Sequence, residues 1–149
     1  MDLKPIPAID LKAGRVVRLY QGRFDQVSEY QADPESLAAR YLSLGVDWVH
    51  VVDLDGARDG AGGNREVIAR MAGLARGRIQ VGGGIRSRDD VAAMLATGAG
   101  RAVIGSTAVE RPAEVCGWFG EFGAERLVLA FDVQLDESGV RRCRTRGWT

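Results

Sequence analysis

Histidine and cysteine are scarce in this sequence of 149 residues, and their scarcity excludes several kinds of catalytic site. His50 is the single histidine, and the two cysteines, Cys116 and Cys143, have no CxxC spacing. We therefore expect no Ser/His/Asp triad, no Cys/His pair and no metal site. Two cysteines are also too few for the disulfide framework of a small secreted domain.

The sequence also lacks net charge and long apolar runs. Its 20 Lys and Arg balance 20 Asp and Glu, so no basic excess favours nucleic acid or an anionic bilayer. No apolar run approaches the ~20 residues that span a bilayer, and the N-terminal MDLKPIPAID lacks the apolar stretch of a signal peptide. We expect one cytoplasmic domain over residues 1–149, with a small-molecule partner and neither nucleic acid nor a membrane as partner.

Proline is scarce, with four residues, whereas glycine is abundant, with 20. Short β-branched runs alternate with longer amphipathic stretches, which predicts parallel βα units. Runs that are apolar at nearly every position are typical of strands buried on both faces. The five predicted strands are residues 6–11, 48–54, 79–81, 102–104 and 127–133.

Helix start and stop signals lie between these strands. Asp33 before Pro34 predicts an N-cap for a helix that runs to Leu44. The residues that follow Ser87 resemble a capping box with Asp in place of Glu. Two further helices are predicted at residues 64–74 and 111–122.

Alternating strands and helices with right-handed crossovers allow either an open doubly wound sheet or a closed barrel. A doubly wound dinucleotide domain carries GxGxxG after its first strand, but this sequence has DLKAGRVVRLYQG there. The glycines cluster instead after the third and fourth predicted strands. The pattern therefore favours an α/β fold of the (β/α)8 TIM-barrel class, with strands one to five in this chain.

An internal similarity accompanies this pattern. AIDL at residues 8–11 matches AFDV at residues 130–133, an offset of four βα units. Such an offset predicts two related halves of an eight-unit barrel. The alternative is that the four-residue pattern apolar-apolar-Asp-apolar occurs twice by chance, because buried strands are rich in apolar residues.

Asp10 and Asp132 interrupt these two matching strands near their C-terminal ends, where βα-loops build the active sites of barrels. An unpaired buried carboxylate is costly, so each aspartate is either hydrogen-bonded to the backbone or functional. Half a barrel apart, the pair would face each other across the mouth, as a general base and a general acid require. Asp53 is expected to orient the site, and Asp55 before Gly56 is expected to form a turn.

Two glycine-containing segments each follow a strand and precede a helix. VGGGIRS contains Gly83, Gly84 and Arg86, and IGSTA contains Gly105 and Ser106. Glycine lets backbone N–H groups approach a phosphate, so the two segments predict one phosphate site. The alternative is a pair of tight turns that need glycine for positive φ.

Residues 14–32 are too many for a simple βα-loop and predict a lid that carries Arg18. Solvated surface is the alternative for the charges in that segment. Arg146 and Trp148 follow the fifth strand and offer a guanidinium and an aromatic face to a planar ring, although Trp148 could equally pack. Three residues are interpreted as core: Trp48, His50 and Trp118.

Six segments together resemble one known family. PAIDLKAGRVVRLYQG, HVVDLDGA, VGGGIRS, VIGSTAV, LAFDVQLDESG and RGW are similar to the phosphoribosylformimino-aminoimidazole-carboxamide ribotide isomerase (ProFAR isomerase) family of histidine biosynthesis. The resemblance covers essentially the whole chain in the family's order. It implies a (β/α)8 barrel that catalyses an Amadori rearrangement of an aminoaldose to an aminoketose, without a cofactor, on a substrate with a phosphate at each end.

The resemblance also implies roles for individual residues. Asp10 matches the family's proton acceptor, and Asp132 matches its proton donor. The glycines of GGGIRS and GST match the site of one phosphate, and RGW matches a loop that closes on the substrate. Because the family has eight strands, the chain is interpreted as an N-terminal portion of the barrel. We expect the full-length enzyme to be a monomer and the shorter chain, with its exposed edge strands, to self-associate.

Three alternatives remain open. The cyclase subunit of imidazole glycerol phosphate synthase is a sister barrel with the same two aspartates, but RLYQG and Trp148 resemble the isomerase more. A bifunctional isomerase that also serves tryptophan synthesis shares RGW. The third alternative is an inactive half-barrel that only binds phosphate.

Overall fold

The structure is a computed structural model that describes residues 3–20, 23–60 and 62–145. The strands assigned within these ranges are β1 (Ala8–Lys12), β2 (Arg15–Tyr20), β3 (Arg23–Glu29), β4 (Val49–Asp53), β5 (Ile79–Gly82), β6 (Arg101–Ile104), β7 (Leu127–Leu129), β8 (Val133–Leu135) and β9 (Arg141–Cys143). The helices assigned there are α1 (Pro34–Ser43), α2 (Leu54–Asp59), α3 (Arg65–Leu74), α4 (Arg88–Ala96), α5 (Ser106–Glu110) and α6 (Pro112–Phe122). None of these helices is long and apolar enough to cross a membrane.

The strand order of the main sheet identifies the architecture. In the described part of the chain, seven strands pair in the order β3-β2-β1-β4-β5-β6-β7. β1, β4, β5, β6 and β7 are parallel and adjacent in chain order, with at least one helix in each crossover. A doubly wound sheet reverses its order at a switch point, whereas a barrel keeps it. The predicted barrel class is therefore confirmed, with five consecutive parallel strands.

The two faces of the parallel sheet have different surroundings. Alternate residues, such as Ile9 on β1 and Val51 on β4, are fully buried in a core shared with the helices. Met71 of α3 and Trp118 of α6 belong to the same core, which confirms the interpretation of Trp118. The intervening residues, such as Asp10, His50 and Val52, lie on the opposite face and are half-buried. The functional cavity lies on that second face.

The predicted helices are confirmed, within a residue or two at each end. The Asp33 carboxylate accepts a hydrogen bond from the Ser36 N–H at 2.8 Å, and Pro34 occupies the first turn of α1. The Ser87 hydroxyl accepts from the Asp90 N–H at 3.2 Å and donates to the Asp90 carboxylate at 2.8 Å. This pair is the predicted capping box, with Asp in place of Glu.

The fifth predicted strand, residues 127–133, is wrong in its C-terminal half. The sheet strand β7 ends at Leu129, and the next hydrogen bond runs from the Ala130 N–H to the Ile104 carbonyl at 2.9 Å. Val133 then begins β8, which pairs with β9 in a separate two-stranded ribbon. An apolar run predicts a strand but not its partner, and here the chain changes partner within the run. The other predicted strands differ from the structure by one or two residues at their ends.

The interpretation of residues 14–32 as a lid is also wrong. Most of this segment is a hairpin of β2 and β3, and β2 pairs antiparallel with β1. Ala13 and Gly14 form the two-residue turn between β1 and β2, with φ of 49° and 75°. Positive φ at both positions is the signature of a type I′ hairpin turn. The turn was missed because alanine rarely adopts that conformation.

Trp48 is only partly buried, so its interpretation as a core residue holds in part. The Arg101 guanidinium lies over its ring, 3.8 Å from the ring centroid. A cation–π contact of this kind stabilises an aromatic side chain at the edge of a core. The residue therefore packs at the N-terminal end of the parallel strands, away from the functional cavity.

Candidate functional site

An open cavity of about 710 Å³ lies at the carboxyl ends of the parallel strands. The position is the one at which βα-loops build barrel active sites. The predicted site residues that line it are Asp10, Gly83, Gly84, Arg86, Gly105, Ser106 and Asp132. Arg18 lies on the neighbouring hairpin strand β2, while Arg146 and Trp148 lie outside the described residues.

Asp10 is the third residue of β1, flanked by Val17 of β2 and Val52 of β4. Burial raises the pKa of its carboxyl group, and the positive charge of Arg18 partly opposes that rise in pKa. A carboxylate with a raised pKa is a stronger proton acceptor. The environment of Asp10 therefore suits a general base.

Asp132 approaches the same cavity from a different backbone setting. It lies in the segment between β7 and β8 and is exposed. Its carbonyl oxygen accepts from the Arg144 N–H at 2.8 Å, which ties the segment to the end of the ribbon. The two aspartates thus lie at one rim, as a base and an acid require. The AIDL segment lies within β1, whereas only Val133 of AFDV lies in a strand, and that strand belongs to the separate ribbon, so their sequence similarity does not extend to local structure.

The glycines after β5 are required by the backbone itself. Gly83 and Gly84 have φ of 109° and 78°. A Cβ on Gly83 would overlap the carbonyl oxygen of Asp53, and one on Gly84 would lie 2.9 Å from the Cα of Gly56. The tight-turn alternative is therefore correct for this loop. The loop also lines the cavity, so the turn and a phosphate site are compatible.

Gly105 differs from this pair. Its φ is −98°, and the nearest atom to an added Cβ would be the Ala130 carbonyl oxygen at 3.9 Å. Packing therefore does not require glycine at this position. The missing side chain instead keeps backbone open toward the cavity. The buried Thr107 hydroxyl donates to the Ile85 carbonyl at 3.0 Å and so joins this loop to the loop after β5.

Sequence reasoning missed two of three arginines that line the cavity. Arg86 donates to the Ala57 carbonyl at 3.0 Å, and Arg111 donates to the Arg86 carbonyl. Arg58, the third, forms a 2.7 Å ion pair with Asp59. Arg58 and Arg111 follow DLDGA and GSTAVE directly, so their place after strand-end motifs was an available signal. The three guanidinium groups favour an anionic ligand.

His50 lies on the cavity face of β4, so its interpretation as a core histidine is wrong. Its Nδ1 is 3.3 Å from the Gln80 amide nitrogen. Burial lowers the pKa of the imidazole, which favours its neutral form. The side chain therefore adds a neutral polar group to the cavity wall.

A buried carboxyl group supports the cavity from behind. Asp53 is fully buried at the end of β4. Its Oδ1 accepts from the Gly56 N–H at 2.9 Å and from the Asn64 side-chain amide at 2.6 Å. The first bond caps α2, and the second connects the end of β4 to the start of α3. This arrangement supports the expectation that Asp53 orients the site.

Asn64 extends the same network to the first hairpin. Its amide nitrogen also donates to Asp55 Oδ2 at 2.9 Å, and its Oδ1 accepts from the Gly14 N–H at 2.7 Å. Asp55 Oδ2 accepts in turn from the Ala13 N–H at 2.6 Å. The β1–β2 turn is thereby fixed to the turn after β4. Asp55 does more than form a turn, and Asn64 was missed because nothing local to it marks this role.

Replacing Asn64 with Ala is expected to cost about 2–3 kcal/mol of unfolding free energy, because it leaves the Gly14 N–H without its acceptor and removes a donor from Asp53. Urea denaturation of both proteins measures the difference. Ser43→Ala is the control, because the exposed Ser43 hydroxyl donates only to the Arg40 carbonyl at 2.7 Å. Equal losses in the two variants would contradict the importance of the network.

Comparisons with known proteins agree with this geometry. The sequence profile of the family described as "Histidine biosynthesis protein" matches residues 5–149. Relatives named phosphoribosyl imidazole-4-carboxamide isomerase include those of Aliivibrio fischeri and Alteromonas mediterranea, at 47% identity, and Vibrio vulnificus, at 46%. Each match covers 143 residues, which is 96% of this chain and 58% of the relative. The chain therefore belongs to the histidine biosynthesis protein family, and its five parallel strands are part of the (β/α)8 barrel of that family.

Proposed function

We propose that the chain forms the N-terminal part of the active site of an intramolecular aldose–ketose isomerase. The enzyme would catalyse an Amadori rearrangement of the bis-phosphorylated ProFAR aminoaldose in histidine biosynthesis. The observation that carries this proposal is that Asp10 and Asp132 line the same cavity as the two glycine-containing loops. The isomerase names of relatives at 46–47% identity support it.

One phosphate of the substrate would bind at the two joined loops. Backbone N–H groups of Gly84, Gly105 and Ser106 are the proposed donors, since glycine lets an anion approach the backbone closely. Arg86 and Arg111 at the rim would attract the anion electrostatically. Arg18 would place a positive charge near Asp10 and the substrate. Arg146 and Trp148 stay predicted residues of a loop that closes on the substrate.

The proposed reaction begins with a proton from Asp132. Protonation of the ring oxygen of the aminoaldose lets the bond between C1 and that oxygen break, while the nitrogen lone pair forms a C1=N Schiff base. Asp10 then removes the proton from C2, and the electron pair of that C–H bond forms a C1=C2 bond. The π electrons of the C1=N bond return to the nitrogen, which gives an enolamine. Tautomerisation of the enolamine places the carbonyl at C2. C1 is reduced and C2 is oxidised within one molecule, so the rearrangement consumes no external oxidant or reductant.

The raised pKa of Asp10 fits this role, because a base must be strong enough to take a proton from carbon yet ionised at the working pH.

We further propose that residues 1–149 belong to a single domain, that the protein is cytoplasmic and that the full-length enzyme is a monomer. Self-association of the shorter chain likewise stays a prediction.

The test is an isomerisation assay on the protein with all eight barrel strands. We expect conversion of the bis-phosphorylated aminoaldose, and no comparable turnover of the cyclase substrate. Turnover of the analogous aminoaldose of tryptophan synthesis would indicate the bifunctional enzyme instead. Phosphate binding without turnover of any of these compounds would contradict the proposal and indicate a binding barrel.

A further inference from the structure

One oxygen of the buried Asp53 carboxyl group lacks a donor in the described part of the chain. Asp53 is 0% exposed, and its Oδ1 takes both hydrogen bonds described above. Its Oδ2 has no hydrogen-bond partner among residues 3–20, 23–60 and 62–145. A buried carboxyl oxygen without a donor is costly, and buried polar atoms in native proteins are almost always satisfied by protein or ordered water.

A small cavity of about 10 Å³ lies at Asp53. Its lining includes Asp53, Gly56, Arg65, Gly83 and Gly84. A volume of this size, measured as space for a water-sized sphere, holds about one water molecule. Gly83 and Gly84 also line the large cavity. The glycine loop after β5 is therefore a wall between the two cavities.

The space beside Gly56 faces two acceptor oxygens. A Cβ added to Gly56 would lie 2.9 Å from the Gly83 carbonyl oxygen and 3.0 Å from Asp53 Oδ2. A carbonyl oxygen and an ionised carboxylate oxygen are both acceptors, so they cannot form a hydrogen bond with each other. A water molecule has two hydrogens to donate, and Arg65, which also lines the small cavity, is a hydrogen-bond donor. The site therefore has the two to four polar partners that a buried water needs.

We propose that one water molecule binds in this small cavity, donates to Asp53 Oδ2 and to the Gly83 carbonyl, and so makes Asp53 a positioning residue for the glycine loop. The network from the β1–β2 turn through Asn64 then reaches the wall of the functional cavity. The loop after β5 and the end of β1, which carries Asp10, are held by one connected set of hydrogen bonds. This role goes beyond the proposed function, which uses the loop but does not say what holds it.

The decisive variant is Gly56→Ala. Gly56 lies in α2 without a positive φ, and its new Cβ would lie 2.9 Å from the Gly83 carbonyl oxygen and 3.0 Å from Asp53 Oδ2. It would therefore crowd both the loop and a water that bridges the two oxygens, so the density peak described below decides whether the water is present. Gly73→Ala is the matched control, because Gly73 lies in α3 and has nothing within 4 Å of an added Cβ. Both variants make the same chemical change in a helix, and only one affects the site.

Two measurements test the water itself. In crystals of the unsubstituted protein and of Gly73→Ala, we expect a density peak about 2.6–3.1 Å from both oxygens. That peak should be lost in Gly56→Ala. Amide hydrogen exchange of Gly84 should become about tenfold faster in Gly56→Ala, since one bridging interaction is lost, and should not change in Gly73→Ala.

A third measurement rests on the proposed function. Titration with inorganic phosphate should give about a tenfold weaker Kd for Gly56→Ala, because the loop that would donate to the anion is displaced. Failure of the unsubstituted protein to bind phosphate would count against the proposed phosphate site. The density and exchange measurements would still decide the water site.

Several results would overturn the inference. A crystal of the unsubstituted protein without the peak would do so even where Gly56→Ala fails to fold. Oxygen distances near 2.4 Å would indicate a metal cation in place of water. Unchanged exchange of Gly84 in a folded Gly56→Ala variant would show that the loop does not depend on this site.

Discussion

Replacement of Asp10 or of Asp132 by Asn is expected to lower kcat by at least about a hundredfold, the usual scale for loss of a general acid or base. Each change keeps the shape of the side chain and removes its ability to exchange a proton. Steady-state rates of aminoaldose isomerisation measure the effect. Asp47→Asn is the control, because Asp47 is an exposed carboxylate that pairs with Lys4 at 2.8 Å outside the functional cavity. Near-normal kcat in either active-site variant would assign its role to another residue.

The same Asp10 variant should be more stable than the unsubstituted protein at neutral pH. Burial raises the pKa of Asp10 above its ordinary value of 3.8, so the folded state holds the proton more tightly than the unfolded state. Stability therefore falls as the pH rises from about 3.8 through the folded-state pKa, and the cost is complete above it. Asn has no charge to bury. The Asp10→Asn variant should therefore have a higher Tm than the unsubstituted protein at pH 7, and the two Tm values should be equal below pH 3.8, the ordinary pKa of an aspartate.

Melting curves of the two variants between pH 3 and pH 8 test this linkage. Asp132 is exposed, so Asp132→Asn should lose activity without a comparable gain in Tm. A gain in Tm from Asp10→Asn that persisted at the lowest pH would contradict the assigned cause. The contrast follows from the different settings of the two carboxyl groups, one half-buried within a strand and one on an exposed segment.

Local signals explain which parts of the fold were predictable. Asp33 with Pro34 and the Ser87 capping box fix helix starts through bonds within four residues, so the sequence contains the whole interaction. The barrel followed from glycine placement, because the glycines cluster in the segments after β5 and β6, whereas the segment after β1 is too sparse in glycine for GxGxxG. The position of Asp10 and Asp132 at one rim was predicted because both aspartates lie near the C-terminal ends of predicted strands, where βα-loops build barrel active sites.

Features that depend on distant partners were not predictable. Residues 130–133 are apolar except for Asp132, as a sheet strand would be, but β7 ends at Leu129 and Val133 pairs with Cys143 instead. Asn64 has the sequence position of a helix cap, yet its side chain donates to Asp53, the last residue of β4, and to Asp55 in the first turn of α2. Neither partner can be identified from a window of neighbouring residues. The supporting network of the site therefore emerged only with the structure.

Gly83→Ala is expected to destabilise the protein by about 3 kcal/mol or more, among the largest effects of single substitutions. The new Cβ would lie 2.8 Å from the carbonyl carbon of Asp53 and would overlap its oxygen, at a φ of 109°. These neighbours are backbone atoms of a buried strand end, so they cannot move aside as a flexible side chain would. Urea denaturation measures the loss, and Gly73→Ala is the control, expected to gain about 0.5–1 kcal/mol from helix propensity.

Gly105→Ala completes this comparison, because it separates glycine needed for folding from glycine needed for a ligand. An added Cβ at Gly105 meets only the Ala130 carbonyl oxygen at 3.9 Å, so folding stability should change little. The same methyl group would stand between the backbone and an anion in the cavity, so the Kd for inorganic phosphate should rise by about tenfold or more. Unchanged phosphate affinity would show that the loop after β6 does not contact the anion. A large loss of stability would show instead that Gly105 serves the fold, as Gly83 does.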